Sequence, residues 1–94
     1  MVFDLRGALL KKAEIESARL ADFEFRLRAR TMRLLAPELG LAPEALVGRI
    51  AVEPDEAIVA SLDAEGRAKY EACHAEARRQ LIVELGDPTP YKLA

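Results

Sequence analysis

Residues 20–35, LADFEFRLRARTMRLL, constrain this chain more than any other stretch. At roughly 100° per residue the segment has two apolar sides rather than one. Leu20, Phe23, Leu27 and Leu34 share one side, and Ala18, Ala21, Phe25, Ala29 and Met32 fall opposite. Between them runs a third stripe, Arg19, Arg26, Arg30 and Arg33, at spacings of seven, four and three. A helix that is apolar on two sides is sandwiched between neighbours rather than laid on a surface. The pattern predicts a central helix packed on both flanks, with an arginine edge turned toward something acidic.

The chain of 94 residues is sized for one domain with a modest core. At 51% hydrophobic and 32% charged, its composition is not that of a disordered segment. No run of about 18 apolar residues is present, so no membrane span is expected, and Asp4 and Arg6 interrupt any signal-peptide core. The lone cysteine cannot form an internal disulfide, which fits a reducing, cytoplasmic setting. Only short stretches could read as strands. The expected class is therefore all-α, a small bundle of about four helices with a long central and a long C-terminal helix.

Charge is unevenly spread. Residues 1–36 carry eight Lys or Arg against five acids, residues 37–65 one Arg against seven acids, and residues 66–94 five against four, for a net charge of −2. A basic first helix beside an acidic middle can satisfy much of its charge internally. The expectation is that Arg26, Arg30 and Arg33 pair among Glu53, Asp55, Glu56 and Glu65. The same balance argues against nucleic acid, whose partners carry a basic excess.

Residues 1–18 hold helix formers but a poor apolar stripe, and Gly7 interrupts it at about 1 kcal/mol relative to alanine. They read as a helix continuous with the central one near Glu14 and fraying toward Met1, with residues 1–14 a projecting arm, or else as an ordinary disordered terminus. The central helix is expected to end at Ala36, because Pro37 disfavours α geometry in the residue before it. Gly40 supplies a turn. Pro43 opens a short helix carrying Leu46, Val47 and Ile50, and Pro54 with Asp55 and Glu56 opens another carrying Ile58, Val59 and Leu62. Ser61 or Asp63 can cap the next element, and Gly66 permits a break. The last helix runs from about Ala64 to Leu85, with Tyr70, Cys73, Ala77 and Leu81 as its seam and Gly86 beyond its end. Residues 87–94 read as an extended tail, with Tyr91 and Leu93 laid back on the bundle.

Catalytic groupings are thin. His74 follows Cys73 directly, and adjacent helical positions diverge by roughly 100°, so the two cannot form a thiolate–imidazole pair. Both read as structural residues. No phosphate loop and no metal-ligand spacing is present. Helix capping accounts for Glu53, Asp55 and Glu56. No enzyme, cofactor or metal is expected.

Phe25-Arg26-Leu27-Arg28-Ala29-Arg30-Thr31-Met32-Arg33-Leu34-Leu35 resembles the segment F-K-x-R-A-R-R-N-K-L-L of the zeta subunit family of alphaproteobacterial ATP synthases. Phe3-Asp4-Leu5-Arg6 resembles the opening F-D-D-R of that family, and Leu39-Gly40-Leu41 its L-G-L turn. Glu53-Pro54-Asp55, Leu62-Asp63-Ala64, and His74 with Arg78-Arg79 and Leu81 resemble its E-P-G-D, L-D-A and H-Q-I-R-R-x-M stretches in the same order. The chain departs from the family in lacking the L-W-A-A link before Leu39 and in having a shorter acidic middle. It also carries Leu9, Leu10 and Ile15 where inhibitory aromatics would stand.

The resemblance implies a bacterial four-helix regulatory protein whose N-terminal helix inserts into the catalytic interface of an F-type ATPase and blocks hydrolysis. It also implies weak adenine-nucleotide binding, for which the sequence holds no motif. The candidate partner-binding residues are Phe3, Asp4, Leu5, Arg6, Leu9 and Leu10 in the arm, with Arg19, Arg26, Arg30 and Arg33 on the stripe. Two other readings stand beside this one. The chain could be a self-associating adaptor that pairs as a homodimer through its two-sided helix, or a nucleic-acid binder setting the stripe on phosphates.

Overall fold

The computed structural model describes the backbone of residues 5–88 and the side chains of residues 11–88. Among the described residues the chain is a small all-α bundle: α1 (Leu5–Glu38), α2 (Pro43–Val47), a 3₁₀ turn (Arg49–Ala51), α3 (Asp55–Ala60) and α4 (Ala64–Leu85). The long helices α1 and α4 run antiparallel, since Lys69 near the start of α4 meets Glu38 at the end of α1, and Glu84 near its finish meets Arg30.

The core lies in two parts. Met32, Leu35 and Ala36 of α1 bury against Leu46, Ile50 and Ile58, with Tyr70 and Cys73 of α4 packed alongside. On the other side of α1, Phe23 and Leu27 bury against Ala77 and Leu81 of α4. The sandwich expected for the central helix therefore holds over the second half of α1. It fails over the first half, where Ala18 and Ala21 are exposed and Leu20 is 41% accessible, and at Phe25, which is 57% accessible at the edge of the α4 contact. The reason is length. α4 stops at Leu85, and the turn after it lies beside Arg19, Asp22 and Phe23, so among the described residues nothing packs further up α1.

Pro37 does not end α1 at Ala36; the helix runs to Glu38 with the proline in its last turn. There the missing N–H removes a single helical bond. Complete burial of Ala36 holds the turn in place, and the amides of Leu39 and Leu41 donate to the carbonyls of Leu35 and Ala36. Gly40, at φ 72°, makes the reversal, and Lys69 Nζ donates to the Glu38 carbonyl at 3.1 Å. A cation on a helix C-terminus is favoured by the dipole.

Pro43 opens α2 at its first position as expected, whereas Pro54 sits one residue before α3 and leaves Asp55 and Glu56 in the first turn. Asp63, not Ser61, caps α4, accepting from the amide of Gly66 at 2.7 Å. Gly66 makes no break. It is buried in the first turn, where a Cβ would come within 3.1 Å of both Asp63 Oδ1 and Leu62 Cβ. Along α4, Ala77 and Leu81 are buried, Tyr70 and Cys73 half-buried, and Leu85 exposed. Gly86 turns the chain at φ 83°. The expected placements of Tyr91 and Leu93, and the fraying toward Met1, lie outside the described residues.

The Cα radius of gyration is 17.2 Å and the principal extents are 63 × 30 × 20 Å. A compact chain of this length would have a radius of roughly 12 Å. The excess comes from α1, whose first half extends past the bundle.

Candidate partner-binding surface

The arginine stripe makes no ion pair with the acidic middle among the described residues. Arg26 pairs with Asp22 on its own helix at 2.8 Å, and Arg30 reaches Glu84 of α4 at 2.7 Å. The Glu84 carboxylate raises the Arg30 pKa, and the guanidinium lowers that of Glu84 in return. Arg33 and Arg19 make no ion pair among the described residues; Arg33 lies over Pro43, Glu44, Val47 and Gly48 at the foot of α2.

Three of the four acids expected to receive the stripe are engaged elsewhere. Glu53 takes a two-pronged contact from Arg49 (2.7 and 3.1 Å), Glu65 meets Lys69 at 3.3 Å, and Asp55 meets Arg28 at 2.8 Å. The cause is geometric. The middle segment packs on the side of α1 that carries Met32 and Leu35, away from Arg26 and Arg30, and only Arg33 borders it, at the foot of α2.

Arg28 is the residue that sequence reasoning missed. Besides Asp55, its guanidinium donates to the carbonyls of Ile50 and Glu53 at 3.1 and 3.0 Å. One side chain thus ties the end of the 3₁₀ turn and the start of α3 to α1. The signal was its angular position: Arg28 falls between Met32 and Leu35 on a helical wheel, and a cation on an apolar side needs acceptors there.

Glu76 carries the largest resolved displacement, its carboxyl held down to about 2 first by the Arg79 guanidinium and then by the Gln80 amide. A depressed folded-state pKa stabilises above the unfolded carboxylate range and loses that contribution as pH falls from about 4.5 toward 2. The stability difference between the parent chain and Glu76→Gln is therefore expected to shrink over that window. Urea midpoints taken at pH 7, 4 and 2 check it; a difference independent of pH would remove the Glu76–Arg79 pair from the account.

Cys73 and His74 diverge as the sequence requires. Cys73 is half-buried beside the first core cluster, and burial, aided by Glu38, pushes its thiol up and away from the reactive thiolate. His74 stacks on Tyr70 with ring centroids 5.9 Å apart. Among the described residues, no three metal-ligating side chains come together, and no helix is long and apolar enough to cross a membrane.

The remaining candidates lie on the arm. Phe3 and Asp4 fall outside the described residues, and for Leu5, Arg6, Leu9 and Leu10 only the helical backbone of α1 is described. From Lys11 to Asp22 every side chain is exposed except Glu16, which is half-buried and lies 3.9 Å from Lys12. The unpacked length of α1 thus extends well beyond the residue 14 boundary read from the sequence. The chain matches no protein-family model, no curated protein and no solved structure.

Proposed function

We propose that this chain is a non-catalytic regulatory protein that engages a protein partner through the first half of α1, in the manner of an inhibitor of F-type ATPase hydrolysis. The observation that carries the reading is the division of α1: one continuous helix, with one buried residue or more in every turn from Phe23 to Ala36 and none from Lys11 to Asp22. A folded bundle that holds a bare helix clear of itself presents that helix to something else. The bundle would set how far the arm enters its partner. The order of zeta-like segments in the sequence supplies the partner class.

Hydrolysis by purified F-type ATPase, measured with the full chain and with residues 1–14 deleted, tests the proposal. The full chain is expected to inhibit and the truncated one to lose inhibition, while its melting changes little, because both core clusters draw on α1 only from Phe23 onward among the described residues. Inhibition that survives truncation would sink the proposal.

The homodimer reading keeps one supporting observation. Phe25 and Leu85 are half-exposed and line a common groove with Leu81, an apolar surface that a second copy could cover. Sedimentation equilibrium of the chain and of Phe25→Ser decides it. The nucleic-acid reading is weakened by Asp22 and Glu84, which occupy Arg26 and Arg30.

A further inference from the structure

The seam between α1 and α4 does not stop where α4 stops. In the covered part of α1, Phe23, Leu27, Arg30 and Leu34 recur at alternating steps of four and three. α4 lays Ala77 and Leu81 along them and closes the edge with Glu84 on Arg30. Carried toward the N-terminus, the same register lands on Leu20, Glu16 and Ala13. This is heptad spacing, the periodicity that lets one helix lie along another. Among the described residues nothing lies along these three positions: α4 ends level with Phe23, and the turn after it reaches only as far as Arg19. Leu20 is left 41% accessible.

The flanks of the uncovered seam are unequal. Lys12 and Arg19, seven residues apart, precede Ala13 and Leu20 directly, and both are exposed. Lys12 has only a long contact to Glu16, and Arg19 has no ion pair among the described residues. Ser17, on the other flank, is small and uncharged. A helix laid here would meet one basic edge and an apolar line broken by Glu16.

A second copy fits poorly. In an antiparallel pair the basic edge of each chain faces the basic edge of the other, and in a parallel pair Glu16 faces Glu16. Either way like charges oppose across the contact, which costs affinity. Charge complementarity selects an acid-bearing occupant, and the covered half shows the arrangement already, with Glu84 of α4 answering Arg30.

We infer that the seam through Ala13, Glu16 and Leu20 is a docking site for an acidic amphipathic helix of a protein partner, which continues the line of α4 and sets its carboxylates on Lys12 and Arg19. This rests on the reading of the arm as the binding element and adds the chemistry of what it binds.

The probe is a synthetic amphipathic peptide about three heptads long, with leucine on its seam and glutamate on both flanks, beside a twin carrying lysine on the flanks. Fluorescence anisotropy is recorded with the full chain at low and high salt. The glutamate peptide is expected to bind, to weaken as salt screens the charges, and to bind the double variant Lys12→Glu/Arg19→Glu roughly 10-fold more weakly. The lysine peptide is expected to prefer that variant. Both side chains are exposed, so an unchanged circular-dichroism melt confirms that the variant folds. Equal binding of the two peptides, unaltered affinity in the double variant, or no binding at all overturns the inference.

ATPase inhibition separates this inference from the reading beneath it. If deletion of residues 1–14 abolishes inhibition and the double variant inhibits fully, the inference falls and the inhibitor reading stands. If the peptides behave as stated and the deletion leaves inhibition intact, the inhibitor reading falls and the docking chemistry stands.

Discussion

Replacing Leu35 by alanine is expected to destabilise the protein by about 2–5 kcal/mol, the range for emptying a closed aliphatic site. Leu35 is fully buried and shares its cluster with Met32, Ala36, Leu46, Ile50 and Ile58. Two features put it toward the upper part of that range. The helices it holds, α2 and α3, are five and six residues long, too short to persist unless packed. Their hold on α1 also passes largely through this cluster. A domain of this size has about 5–14 kcal/mol in all, so the loss is a large share. The melting temperature is expected to fall by roughly 10–35 °C. Calorimetry of Leu35→Ala beside Leu20→Ala reads the effect, the second changing stability by less than about 1 kcal/mol because its side chain is already in water. Similar losses for the two would mean that α2 and α3 are held by something other than this cluster.

Arg28→Ala is expected to cost about 1–3 kcal/mol, the scale of hydrogen bonds to a charged group. The guanidinium serves Asp55 and two backbone carbonyls at once, and removing it leaves the Ile50 and Glu53 carbonyls without that donor. Arg26→Ala breaks an ion pair at the same distance, yet both partners are more than half exposed, and the change should stay within about 0.5 kcal/mol. Arg28→Lys should recover part of the loss only, since one ammonium cannot reproduce the planar fork. Urea denaturation of the three variants gives the ranking. Equal midpoints for Arg28→Ala and Arg26→Ala would reduce the clamp to an ordinary surface contact.

These two residues also mark how far the sequence could be read. The bounds of α4 were legible because polar and glycine punctuation frames it: Asp63 caps one end, and Gly86 and Pro88 close the other. Both apolar sides of α1 were legible from periodicity alone. What periodicity cannot show is where the covering helix ends, so Leu20 was assigned to an interior that α4 does not reach, and Phe25 to one that it only skirts. Pro37 misled for a related reason. Its local preference is modest, and burial of Ala36 outweighs it. The arginines misled most. A stripe of one charge suggested a partner on the chain, but charge sums over segments carry no direction, and the middle segment packs on the other side. Arg28, off the stripe, took the contact instead.

The unequal lengths of the two long helices, 34 residues in α1 and 22 in α4, shape how α1 opens. Amides from Leu27 to Ala36 sit beneath buried side chains and can exchange with solvent only when the bundle itself comes apart. Amides from Lys11 to Asp22 have only the helix to protect them, so they exchange through fraying that leaves the bundle folded. No glycine or proline interrupts residues 8–36, so α1 has no built-in hinge between the two regimes. A ligand on the first half therefore lengthens the protected stretch from the bundle outward, turn by turn, and its footprint can be read from the slowed exchange of backbone amides alone.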